Sequence, residues 1–193
     1  PNRFAQGNEV YKWVAQVIME TPTPILLGEI NFLRGVVHGE AEEEGSREDV
    51  GRIDNVLVHP ELDPLRWCAL EMQAVYFSGG AMRADFARAS NHDGPWPPFP
   101  SARRRPDYRS SGPKRLMPQL QIKVPTLRRW GKKMAVVVDQ AFFAALAPMT
   151  AVSDISNADI VWFVVQYETE GDHAVLSRGM TCATTLAHAV EGL

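Results

Sequence analysis

From Glu9 to Glu20, apolar side chains recur at helical spacing: Val10, Trp13, Val14, Val17 and Ile18 make one stripe, which predicts an amphipathic helix. Thr21-Pro22-Thr23-Pro24 ends it, because proline cannot continue the hydrogen-bond ladder and restricts the residue before it. Ile25 to Val37 is apolar with interruptions and fits either helix or strand. The polar, acidic run GEAEEEGSRED, Gly39 to Asp49, reads as a solvated loop. Ile53 to His59 and Trp67 to Ser78 are rich in β-branched and aromatic residues and flank the turn-like PELDPL, so they predict a β-hairpin. A short helix is expected from Ala81 to Ala89, and the proline-rich Asn91 to Pro100 is a surface loop. Leu116 to Trp130 is predicted helical, with Pro125 at the first turn of a second helical piece. Met134 to Val138 and Ile160 to Tyr167 are short, apolar and β-branched, as buried strands are, with the polar Asp154 to Ala158 before the second. Cys182 to Val190 reads as a closing helix. Helix, hairpin, helix, strand, strand and helix together predict a mixed α/β domain, and 193 residues without internal repeats fit a single one.

Charge changes this picture of an ordinary globular chain. The net charge is −3, but between Arg103 and Lys133 eleven basic residues face one acid, Asp107. The local balance of +10 leaves −13 for the rest. The band comprises Arg103, Arg104, Arg105, Arg109, Lys114, Arg115, Lys123, Arg128, Arg129, Lys132 and Lys133. Such asymmetry is how a phosphate-binding surface looks in sequence, and it favours nucleic acid over an acidic protein partner. No apolar run approaches the ~20 residues that span a bilayer. The start lacks the layout of a secretory signal, and two distant cysteines, Cys68 and Cys182, make neither a disulfide framework nor a four-cysteine metal site. A cytoplasmic setting is expected.

The candidate chemistry lies in the hairpin. Glu71 and Gln73, two apart, share a face, while Leu70, Met72 and Ala74 point to the core on the other. A hairpin centred on PELDPL pairs residues whose numbers sum to 125, which sets Asp54 opposite Glu71 with Cβ atoms ~5 Å apart. Like charges so placed ask for compensation, and a divalent cation supplies it. Oxygen ligands suit magnesium, which takes one or two carboxylates, waters and substrate phosphate. A one-residue slip would separate the acids, and the bare pattern is common in unrelated sequences.

These residues resemble a known family. An acid on one strand, then Glu-x-Lys on the next, then a helix, is the signature of the PD-(D/E)XK nuclease superfamily. RIDNVLVHPELDPLRWCALEMQAVYFSGGAM is most similar to the NotI-like branch of type II restriction endonucleases, where glutamine replaces the lysine as Gln73 does here. RPDYRSSGPKRLMPQLQIKVPTLRRWGKKMAVVVD is similar to that branch as well. The resemblance implies a restriction-endonuclease-like core, a mixed central sheet flanked by helices, in one nuclease domain over residues 1–193. It implies Asp54 and Glu71 as ligands of Mg2+, with Mn2+ as a substitute, and Gln73 orienting the attacking water. It implies a further glutamate from the first helix, for which Glu9 is the best match, ahead of Glu20 and Glu29. A neutral amide at Gln73 orients water but does not stabilise charge as a lysine does, which leaves a second metal ion or a lysine of the basic band such as Lys123 to compensate. The cysteine cluster that NotI itself uses for a structural iron is absent.

The reading is therefore a magnesium-dependent endonuclease of double-stranded DNA, working as a homodimer on a palindromic site. The DNA contacts are expected at Arg103, Arg104, Arg105, Arg109, Lys114, Arg115, Lys123, Arg128 and Arg129. The alternative is a non-catalytic DNA-binding module on a degenerate nuclease fold. The five histidines are scattered and form no ligand pair, and Trp96 and Phe99 pin the proline-rich loop or contact bases.

Overall fold

A computed structural model describes residues 3–34, 49–77, 82–94, 104–171 and 173–193. In chain order its regular elements are α1 (Glu9–Met19), β1 (Ile25–Leu26), β2 (Ile30–Arg34), β3 (Asp49–Ile53), β4 (Asn55–Val58), β5 (Trp67–Met72), β6 (Tyr76–Phe77), α2 (Arg83–Ser90), β7 (Pro106–Asp107), α3 (Tyr108–Ser111), α4 (Met117–Arg129), β8 (Met134–Asp139), α5 (Gln140–Ala144), β9 (Ile160–Glu170), β10 (His173–Thr184) and α6 (Leu186–Gly192). Six strands form a mixed sheet in the order β1-β4-β5-β8-β9-β10. Its centre, β5-β8-β9, is parallel, and both flanks are antiparallel.

Each face of the sheet carries its own core. On one, Val10, Trp13 and Val14 of α1 pack against Leu57, Leu70, Val137 and Phe163. On the other, Leu116, Leu120, Val124 and Leu127, spaced along one side of α4 and its lead-in, cover Val56, Ala69, Val136 and Trp162. Helices on both faces explain why β8 is apolar from Met134 to Val138: it is a central strand buried front and back. The architecture is the mixed α/β sheet with flanking helices expected of a restriction-endonuclease-like core.

Several elements depart from the sequence expectation. Ile25 onward, left open between helix and strand, is strand, as β1 and β2, and the remainder of that apolar stretch and most of the acidic run lie outside the described residues. The predicted break at Pro125 does not occur, because α4 runs unbroken through it. The carbonyl left without its partner by Pro125 belongs to Gln121, which is exposed, so water can satisfy it. The closing helix begins four residues later than expected. Cys182 belongs to β10, a long edge strand whose alternation is broken by a bulge between Arg178 and Thr181. Gly179 sits in that bulge, where a Cβ would fall 2.4 Å from the Val164 carbonyl oxygen. Helix α6 starts after Thr185, whose hydroxyl caps the His188 N–H.

Candidate active site

The hairpin sets the geometry. β4 and β5 pair in the expected register, Asn55 with Leu70 and Val56 with Ala69, so partners sum to 125. Asp54 stands one residue beyond the last pair, at the bend between β3 and β4. Its Oδ2 accepts the Met72 N–H at 2.8 Å, which fixes the carboxylate at the end of β5. Glu71 and Gln73 are on the α4 face of the sheet and buried, at 4% and 6% exposure. Leu70 and Met72 pack on the α1 side as expected, whereas Ala74 is exposed.

Asp54, Glu71, Glu29, Arg52, Gln119 and Lys123 line one open cleft of about 290 Å3. Within it, Lys123 Nζ donates to Glu71 Oε2 at 2.7 Å and to Gln119 Oε1 at 2.7 Å. Burial pushes the Glu71 carboxyl up to about 7 against the pull of the Lys123 ammonium, and the charge of Asp54 adds to the rise. Burial also raises the Tyr11 phenol, and the charge of Asp54 adds a smaller push. Gln73 Nε2 donates to the Ala74 carbonyl at 2.6 Å, leaving Oε1 as the amide's acceptor atom.

The glutamates divide differently from the sequence ranking. Glu9 is not among the residues lining the cleft. It is paired with Lys12 at 2.9 Å and with Arg178 of β10 at 3.2 Å, toward the sheet edge opposite β4, and these cations hold its carboxyl below the usual range. Glu20 ends α1 beside Arg66, Lys132 and Lys133. Glu29, ranked last, lines the cleft and pairs with Arg52 at 2.9 Å. Its place follows from the bend between β1 and β2, which no helical reading of that stretch could supply.

The basic band is not one surface. Arg104 is buried against Asp85 of α2 at 2.6 Å, and Lys123 is buried in the cleft, so both depart from the exposed phosphate contacts expected of them. Lys132 reaches the Leu65 carbonyl and lies over the Trp67 ring, and Lys133 reaches the Ser156 and Ala158 carbonyls. These two, with exposed Arg128 and Arg129, sit at the end of the sheet where β5, β8 and β9 begin. Arg105, Arg109, Lys114 and Arg115 are exposed at the other end, beyond β7, which pairs with β6 directly after the site strand. Arg103, Trp96 and Phe99 lie outside the described residues.

The sequence reading overlooked Gln119. Gln119 stands one turn before Lys123, a spacing that shares a helix face, and could have been found from it.

A family model of the restriction endonuclease NotI matches residues 1–176, which span the cleft and the basic band. The chain belongs to the NotI family of restriction endonucleases. Comparison with curated proteins gave no match. As a NotI-family restriction endonuclease, the chain acts on DNA and cleaves it sequence-specifically. Among the described residues no three His, Cys, Asp or Glu side chains cluster as metal ligands, and no helix is long and apolar enough to cross a membrane. Two carboxylates on adjoining positions of one cleft, one desolvated and both oxygen donors, still fit magnesium, whose remaining positions go to water and phosphate.

Proposed function

We propose that this NotI-family chain is a magnesium-dependent type II restriction endonuclease that hydrolyses phosphodiester bonds of double-stranded DNA through a PD-(D/E)XK-type site. The observation that carries the reading is the meeting of Asp54 and Glu71 in one cleft, with Gln73 two residues on along the same sheet face. Asp54 and Glu71 hold the cation, and Mn2+ substitutes for Mg2+. Magnesium, when bound, draws charge from the phosphate and makes water a stronger nucleophile. Gln73 orients the water by accepting one of its O–H bonds at Oε1. The water oxygen then bonds to phosphorus and gives up a proton to solvent, the bond from phosphorus to one sugar oxygen breaks, and that oxygen takes up a proton from solvent. Met72 N–H, bonded to Asp54 Oδ2, keeps that carboxylate from turning away from the cleft. Glu29, already at the mouth, is better placed than Glu9 to serve as the further acid. Cutting both strands of a palindromic site calls for two such clefts, and a symmetric homodimer provides them.

Glu71→Gln keeps the volume and removes the charge. It is expected to slow cleavage of mixed plasmid and genomic DNA in magnesium at least about a hundredfold. Discrete fragments from the wild type and intact DNA from the variant bear the proposal out. Intact DNA from both, with salt-sensitive binding retained, would favour the non-catalytic binding module.

Exposed Arg109 and Lys114 grip the DNA backbone beside the site. Replacing either by alanine should flatten the slope of log affinity against log salt by about 0.9, and replacing both by about 2. A gel-shift series over several salt concentrations measures this, and an unchanged slope would move the DNA path elsewhere.

A further inference from the structure

The least expected side chain of the cleft is Lys123. It is 2% exposed, in the middle of α4, next to the stripe of Leu120, Val124 and Leu127. An apolar residue there would extend that core, and replacing a buried ion pair by well-packed apolar groups is often neutral or stabilising. Stability alone therefore gives no reason for a lysine. Its surroundings give another. An ammonium has three N–H donors. Glu71 Oε2 and Gln119 Oε1 take two, each at 2.7 Å, and Lys123 itself lines the cleft that Asp54 and Glu71 share. On β5, Gln73 occupies the place where a lysine would put a positive charge on this same face, and an amide has none to give.

We infer that Lys123 supplies the positive charge of this active site from α4, holding Glu71 through one carboxylate oxygen and offering its remaining N–H to the scissile phosphate. The inference rests on the reading of Asp54 and Glu71 as the cation ligands. It assigns two tasks that one lysine on the strand would combine to two residues from different elements: Gln73 places the water and Lys123 answers the charge. Gln119 fixes the ammonium from one turn away, so that it need not swing to reach the phosphate.

The test uses the full chain, with Mn2+ as the probe for the cation site and mixed plasmid and genomic DNA as substrate. Lys123→Met is expected to bind Mn2+ at least as tightly as the wild type, since a competing cation is gone, and to cleave at least about a hundredfold more slowly. Adding Gln73→Lys to Lys123→Met returns a charge to the same face from β5 and is expected to recover at least about tenfold. Should Lys123→Met not fold, Lys123→Gln carries the same test, because it keeps a hydrogen bond to Glu71 without the charge. Cleavage by Lys123→Met within about threefold of the wild type would overturn the inference. So would a joint loss of Mn2+ binding and cleavage that Gln73→Lys does not repair, which marks a supporting role only. Glu71→Gln separates the two levels. If it binds Mn2+ and cleaves like the wild type, the cation-site reading fails and the inference with it. If it loses both while Lys123→Met cleaves normally, only the inference fails.

Discussion

Lys123→Met destabilises the metal-free protein by about 3–5 kcal/mol at pH 8, because it leaves the Glu71 carboxylate buried without its partner. At roughly 2–4 °C per kcal/mol for a chain of this size, the melting temperature drops by about 10 °C. The loss belongs to the orphaned charge and not to the missing contact. Glu71→Gln combined with Lys123→Met therefore recovers most of it, since neither remaining group is then ionised. Urea melts of the wild type, both single variants and the double variant give the coupling directly. A double variant no more stable than Lys123→Met would mean that the pair is not coupled as its 2.7 Å separation requires.

The same carboxyl makes the metal-free protein less stable as pH rises. Glu71 holds its proton in the folded chain up to about pH 7, whereas an ordinary glutamate releases it near 4.5. Between those values the folded state binds the extra proton, so stability falls with pH across the window and levels off above it. The displacement corresponds to about 3 kcal/mol, the largest single carboxyl effect expected here. Burial is its main cause, with Lys123 opposing and Asp54 adding, so Glu71→Gln should remove it. Relative to the wild type, that variant should gain about 3 kcal/mol between pH 4.5 and 7.5 in the absence of divalent cations. Urea midpoints at several pH values measure the gain. A difference independent of pH would show that Glu71 titrates normally and is better hydrated than its 4% exposure implies.

That Asp54 and Glu71 line one cleft was legible because it depends on local facts. A hairpin's register follows from its turn and its apolar alternation, so PELDPL and the two flanking runs were enough to align β4 with β5. The first helix was legible for a similar reason: its stripe and the Thr21-Pro22 stop are contained in a dozen residues. β8 and β9 announced themselves as continuous apolar runs, the mark of strands covered on both faces. β10 did not. An edge strand is half wet, its alternation was broken at Gly179, and its end merged with a helical pattern that properly starts at Leu186.

The basic band shows the limit of reading charge along the chain. Eleven cations within about thirty residues look like one surface, yet a helix in their midst turns successive residues by about 100° and carries its ends some 20 Å apart. Thus Lys123 faces inward, Arg128 and Arg129 go to one end of the sheet, and Arg109 and Lys114 stay at the other. The sequence by itself determined the α/β class, the hairpin and its register, and the meeting of two acids in one cleft, because each follows from neighbours a few residues away. Only the tertiary structure decided that Lys123, fifty-two residues after Glu71, closes on it under α4, that Arg104 is spent on Asp85, and that Glu29 rather than Glu9 stands at the cleft. Those contacts join elements distant in sequence, and which face of a helix meets which face of a sheet is settled by how the two apolar cores pack.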